Sequence, residues 1–140
     1  MIVVGAWIYD GYDDLLIMIE YQSQGKNVRA EDVGWVLWCV EDDDTLHYRS
    51  GTVDDWPFQA FSIWEVGTEP TDTVTELESG ARYFFGIDGG TNTDDTGKQC
   101  GPIFLHEEGI TATLSVHIPD GGTTTQILEI GRFEVGAPVI

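Results

Sequence analysis

Positive charge is what this chain has least of. Lys26, Arg29, Arg49, Arg82, Lys98 and Arg132 are its only Lys and Arg residues, and they are scattered. No basic stripe is available to neutralise phosphates, which argues against nucleic acid and anionic membrane surfaces as partners. Long apolar runs are also missing. None approaches the roughly 20 residues that span a bilayer, and no signal peptide is visible in the sequence. Cysteine is limited to Cys39 and Cys100. One disulfide is possible, but Cys39 lies in an apolar stretch and reads equally as a buried free thiol. There is no G-x-S-x-G elbow, no P-loop and no pair of His at zincin spacing.

Acid fills the space that these absences leave. Asp and Glu number 25 against six Lys and Arg, a formal net charge of -19 on 140 residues. Disorder would need low hydrophobicity as well, yet 41% of residues are hydrophobic and five are Trp. The sequence therefore describes a folded core under an acidic skin, with a length that suits one domain over 1–140. Asp outnumbers Glu, Lys is rare, and Thr, Val and Gly are plentiful. This balance resembles proteins of extreme halophiles, where molar salt cuts the screening length to about 3 Å. The alternative is a mesophilic acidic protein, since pI speaks to solubility and not to fold.

The dominant hydrophobic period is two. Ile110, Ala112, Leu114, Val116 and Ile118 alternate with Thr111, Thr113, Ser115 and His117, the pattern of a half-buried strand. Residues 15–21 read as a second strand. Residues 33–40 (VGWVLWCV) are apolar on both faces and read as a central strand. Further strands are expected at 2–9, 45–49, 58–66, 81–87, 102–106 and 123–133, separated by Gly- and Asp-rich turns. Only 28–32 and 73–77 have room for a helical turn. The expectation is an all-β, single immunoglobulin-like antiparallel β-sandwich.

Little in the chain points to catalysis. His47 reads as exposed or at a sheet edge and His117 as solvated, no second His follows His106 at zincin spacing, and nothing selects an acid–base pair from so many carboxylates. The protein is expected not to be an enzyme. Trp35, Trp38 and Trp64 lie in apolar stretches and read as core. Trp56, next to Pro57 and Phe58, reads as a surface contact. The polar loop 88–101 is long for a compact domain. In it Asp88, Asn92 and Asp94 offer oxygen ligands at the close spacing that Ca²⁺ favours, although no EF-hand pattern is completed. A solvated acidic loop is the plainer reading, and no other cofactor is expected.

Read in order, several stretches resemble the globular domain of archaellins, the filament subunits of archaeal motility organelles. IVVGAWIYDGYDDLLIMIEYQSQG is similar to the two strands that follow the assembly helix of that family. KNVRAEDVGWVLWCVEDDDTLHYRSG resembles its loop, strand and hairpin. FSIWEVGTEPTDTVTELESGARYFFGID resembles a strand, turn and return strand, and HEEGITATLSVHIPDGGTTTQILEI a closing hairpin. The resemblance covers nearly the whole chain and rests on order and spacing. It implies a sandwich with a structural role. The sequence as it stands does not show the long hydrophobic assembly helix, so it is not expected to polymerise as archaellins do, and it departs from the family further in having no N-x-Ser/Thr sequon.

The function expected is that of a structural module on the outside of a haloarchaeal assembly, extracellular or on a virion. A capsid or tail decoration protein comes first. An excised head domain of a filament subunit, or a carbohydrate- or receptor-binding module, is the alternative. Partners would be other protein subunits. Contact residues are expected where acid thins out, at Trp56, Phe58, Phe133, Val135, Val139 and Ile140, although the apolar tail reads alternatively as completing an edge strand. The charge makes one prediction that needs no structure: transfer from molar to millimolar salt lowers the melting temperature. A melting temperature that does not respond to salt contradicts the halophile reading.

Overall fold

The computed structural model describes residues 1–10, 13–22, 26–54, 62–90, 99–119 and 122–140. Alternating side chains give two four-stranded antiparallel sheets. The first has the order β1 (Ile2–Ile8), β2 (Asp14–Glu20), β8 (Arg82–Asp88), β6 (Ile63–Glu65). The second has the order β10 (Gly122–Leu128), β9 (Ala112–Ile118), β4 (Gly34–Val40), β5 (Leu46–Thr52). A short pair, β3 (Val28–Arg29) with β7 (Glu76–Leu77), adds a third, two-stranded sheet. In strand letters the orders are A-B-E-D and G-F-C-C′, the immunoglobulin-like sandwich expected from the sequence.

The core lies between the sheets. Ile8, Leu15, Ile17, Ile19, Phe85 and Ile87 of the first sheet join Leu37, Leu114 and Val116 of the second, all at most 1% exposed. They occupy alternate positions on their strands, so one face of each sheet is dry and the other faces outward.

Two expectations fail for local reasons. Residues 102–106, expected as a strand, begin the helix α1 (Pro102–Glu108). Pro102 starts it, where the missing N–H costs nothing, and Gly109 ends it in the left-handed conformation at φ 64°. Residues 73–77, expected to hold a helical turn, instead place Glu76 and Leu77 in β7. The other expected turn is present as a 3₁₀ turn at Ala30–Asp32.

The C-terminal segment stitches the two sheets together along one side. The Gly136 N–H donates to Ile8 O, the Ile8 N–H to Ala137 O, and the Val139 N–H to Ala6 O, at 2.7, 2.9 and 2.9 Å. The Glu129 N–H, just beyond β10, donates to Val139 O at 2.8 Å. Ala137 and Val139 are accordingly buried at 0% and 2% exposure.

Cys39 of β4 and Cys100 form a disulfide, which decides between the two sequence readings. The Cys100 N–H also donates to Gly89 O, one residue past the end of β8. The bridge thus ties the second sheet to the end of a strand in the first. Gly89, Gly101 and the backbone of Asp13 meet at this junction, where a Cβ on Gly89 would lie 2.5 Å from the Gly101 Cα. The bridge spans a sequence separation of 61 residues. Its reduction, or replacement by C39S/C100S, should cost about 2–4 kcal/mol in a denaturant titration through loss of the constraint on the unfolded chain. An unchanged denaturation midpoint would refute this.

Candidate functional site

Among the described residues, the outward face of the second sheet stands apart from the acidic surface. Strand alternation sends Trp35, Leu37 and Cys39 of β4 inward and Val36, Trp38 and Val40 outward. In β5 the outward residues are Leu46, Tyr48, Ser50 and Thr52, the last at the end of the strand with its hydroxyl donating to the Asp54 carboxylate. In β9 they are Thr113, Ser115 and His117, and in β10 Thr123, Thr125 and Ile127. None of these residues carries a carboxylate, an ammonium or a guanidinium group.

The strand registers set these side chains in rows. Ile127, Thr113, Trp38 and Tyr48 are consecutive cross-strand partners, with Val40 and Leu46 paired beside them. A second row holds Thr125, Ser115, Val36 and Ser50, in which the Ser115 and Thr125 hydroxyls hydrogen-bond at 3.1 Å. In a third row the imidazole of His117 lies over Gly34, leaving no room for a Cβ there. Val40, Leu46, Tyr48 and Ile127 are 46%, 55%, 54% and 60% exposed. Trp38 is half-buried. A shallow hollow lined by Trp38, Val40, Ile110, Thr111 and Thr113 opens at the same end of the face.

The outward side of the first sheet is largely apolar apart from the Glu20–Arg82 ion pair at its end, but there the rings cover one another. Phe84 contacts Trp7 edge-on at a centroid distance of 6.0 Å and lies against Trp64 at 5.6 Å. These contacts leave Trp7 and Phe84 half-buried and Trp64 buried.

Trp38 was expected in the core and instead faces outward. A strand that is apolar on both sides read as buried on both sides, yet each sheet of a two-layer sandwich keeps one outer face. The sequence signal for this site was therefore present in residues 33–40, assigned to the wrong layer. Trp35 is in the core as expected, with its indole N–H donating to Thr52 O at 3.2 Å.

Of the expected contact residues, Trp56 and Phe58 lie outside the described residues. Phe133 is half-buried and stacks on His106 at 4.7 Å. Val135 and Ile140 are 64% and 47% exposed. Val139 is turned into the core and is not open to a partner, because the tail completes an edge beside β1. Of the expected calcium ligands, Asn92 and Asp94 lie outside the described residues. The Asp88 carboxylate accepts the Gly90 N–H at 2.9 Å and lies 3.6 Å from Arg49.

Asp88 also stands beside an acidic corner that sequence reading missed. Carboxylate oxygens of Asp10, Asp13 and Asp14 lie within 4.8 Å of one another. Asp14 pairs with Asp88 in the ladder and is only 4% exposed. Burial, and then the neighbouring charges of Asp13 and Asp10, push the Asp14 carboxyl up to about 8. Burial and the charge of Asp88 raise Asp13 as well. Such a corner holds protons, or a hard cation in their place.

His47, expected at an exposed edge, is buried under Phe104, with ring centroids 4.8 Å apart. Its Nε2 meets the Glu41 carboxylate at 2.7 Å, and its Nδ1 accepts the Gln99 N–H at 3.3 Å. Both ring nitrogens are thus engaged in holding the fold together.

No protein-family model matches this chain, and no curated protein matches it. Among solved structures, it is similar to the archaellum periplasmic stator protein complex FlaF and FlaG from Sulfolobus acidocaldarius, with 9% identity and a TM-score of 0.48. The match covers 90% of this chain and 85% of that one.

The acidic corner makes stability depend on pH. An unfolded Asp titrates near 4, so between about pH 4 and 8 folded Asp14 keeps a proton that the unfolded chain releases. Stability should fall as pH rises through that window, by at most about 1.4 kcal/mol per pH unit for one proton, and level off above it. In molar salt, D14N should flatten the fall in melting temperature between pH 6 and 8. A variant as pH-sensitive as the native protein refutes this account. Calcium that stabilises the native protein at pH 9, and not D14N, would show a cation replacing the proton.

Proposed function

We propose that this protein is a non-enzymatic structural module that works by surface contact within an assembly exposed to high salt. The observation that carries this reading is the uncharged outward face of the β10-β9-β4-β5 sheet. In a chain of net charge -19, chance distribution would put acid on such a face. Exposed Val40, Leu46, Tyr48 and Ile127 are instead the side chains that gain most from being covered. The Cys39–Cys100 bridge suits an oxidising compartment, and so an extracellular or particle-surface location. His47, with both ring nitrogens engaged, is better suited to structure than to proton transfer.

Within that reading, decoration of a virion of a halophilic host comes first, with other protein subunits as partners. The resemblance to archaellin heads supports a surface role and also keeps a filament head domain as the alternative. A carbohydrate-binding module is a third reading, favoured by one observation. The paired Trp38 and Tyr48 offer ring surface beside the hydroxyls of Thr113, Ser115 and Ser50.

Oxidative footprinting of the native particle against the isolated protein tests the contact reading. Trp38 and Tyr48 should be protected severalfold in the particle. Equal reactivity in both would sink it. Chemical shifts at the Trp38 indole that respond to a sugar panel, with no protection in the particle, would favour the carbohydrate reading.

A further inference from the structure

We infer that the uncharged face of the second sheet is covered by the same face of a second copy of this chain, making a twofold sheet-on-sheet dimer. This inference rests on the reading of that face as a contact surface and names its occupant.

Charge is the first argument. Two copies that each carry -19 repel wherever their acidic surfaces meet. Burying a carboxylate without a partner costs several kcal/mol, so acidic surfaces make poor contacts between copies. Against the outward face of the second sheet, a basic partner finds no carboxylate to pair with. A second uncharged face leaves nothing unpaired. Molar salt screens the rest of the two molecules down to a few ångströms.

Shape and size are the second argument. Four strands about 4.8 Å apart, each seven residues long, give a face of roughly 19 by 24 Å before side-chain relief is counted. That plan area, roughly 460 Å², is more than half of the ~800 Å² per partner of a standard interface, and side-chain relief adds to it. Sheets stack face to face at about 10 Å in this way inside every sandwich.

The face is also self-complementary. A twofold axis parallel to the strands reverses the row Ile127, Thr113, Trp38, Tyr48 over itself. Ile127 at the β10 edge then meets Tyr48 at the β5 edge of the second copy, and Thr113 meets Trp38. Exposed apolar side chains at both edges are thereby covered at once.

Sedimentation equilibrium of the full chain in molar salt, over micromolar to millimolar protein, is the test. The native protein should be dimeric at the upper end. Y48D and I127D, each placing one carboxylate per copy, and so two per dimer, on the faces that the dimer covers, should weaken association at least tenfold while melting as monomers of native stability. Because both sites are exposed, one of the two variants serves if the other does not fold. A native protein that stays monomeric throughout overturns the inference. A dimer that both variants leave intact overturns it as well, because the contact then lies elsewhere. A monomer in solution whose Trp38 and Tyr48 are nonetheless protected in the native particle removes the second copy and leaves the contact reading standing. Absence of both removes both.

Discussion

A formal net charge of -19 makes the chain repel itself, and the fold depends on where strand alternation puts the acid. Each strand has only two sides. One side of each sheet is committed to a core of Leu, Ile, Val and Phe, so acid has to go to turns, strand ends and outer faces. In this protein it goes chiefly to turns and ends. Asp42, Asp43 and Asp44 sit in the turn between β4 and β5, and Asp10, Asp13, Asp14 and Asp88 gather where β1, β2 and β8 terminate. The outer face of the second sheet is left uncharged. The acidic corner and the neutral face are thus two results of one distribution.

Much of the architecture was legible because period two is hard to mistake. Residues 110–118 and 15–21 gave β9 and β2 almost to the residue, and the Gly- and Asp-rich turns separated the strands. What misled was information that alternation does not carry. Pro102 and Gly109 turned an apolar stretch into a helix through backbone preference at its two ends. His47 lies between Leu46 and Tyr48, both exposed, yet it is itself buried against Phe104 and Gln99, more than 50 residues away. The acidic corner joins Asp10, Asp13 and Asp14 to Asp88 through strand register, which composition cannot show.

The face on β4 was misjudged for a different reason. Its residues were recognised as apolar, and the error lay in supposing that apolar means internal. In a two-layer sandwich the inner half of such a strand belongs to the core, and the outer half is left to whatever lies outside. Trp35 and Trp38, three residues apart on one strand, ended on opposite sides of that boundary.

The terminal stitch bears on how the domain answers to force. The segment that includes Pro138 runs antiparallel to β1, with Val139 beside Ala6 and Gly136 beside Ile8. The first and last residues of the chain therefore leave the sandwich from the same end of this pairing. Tension applied between them peels its hydrogen bonds open one after another and does not load them together in shear. Held by both ends, the domain would yield first at this seam, while the disulfide continued to bind β4 to the base of α1. A chain built this way is poorly suited to carrying a pull between these two ends.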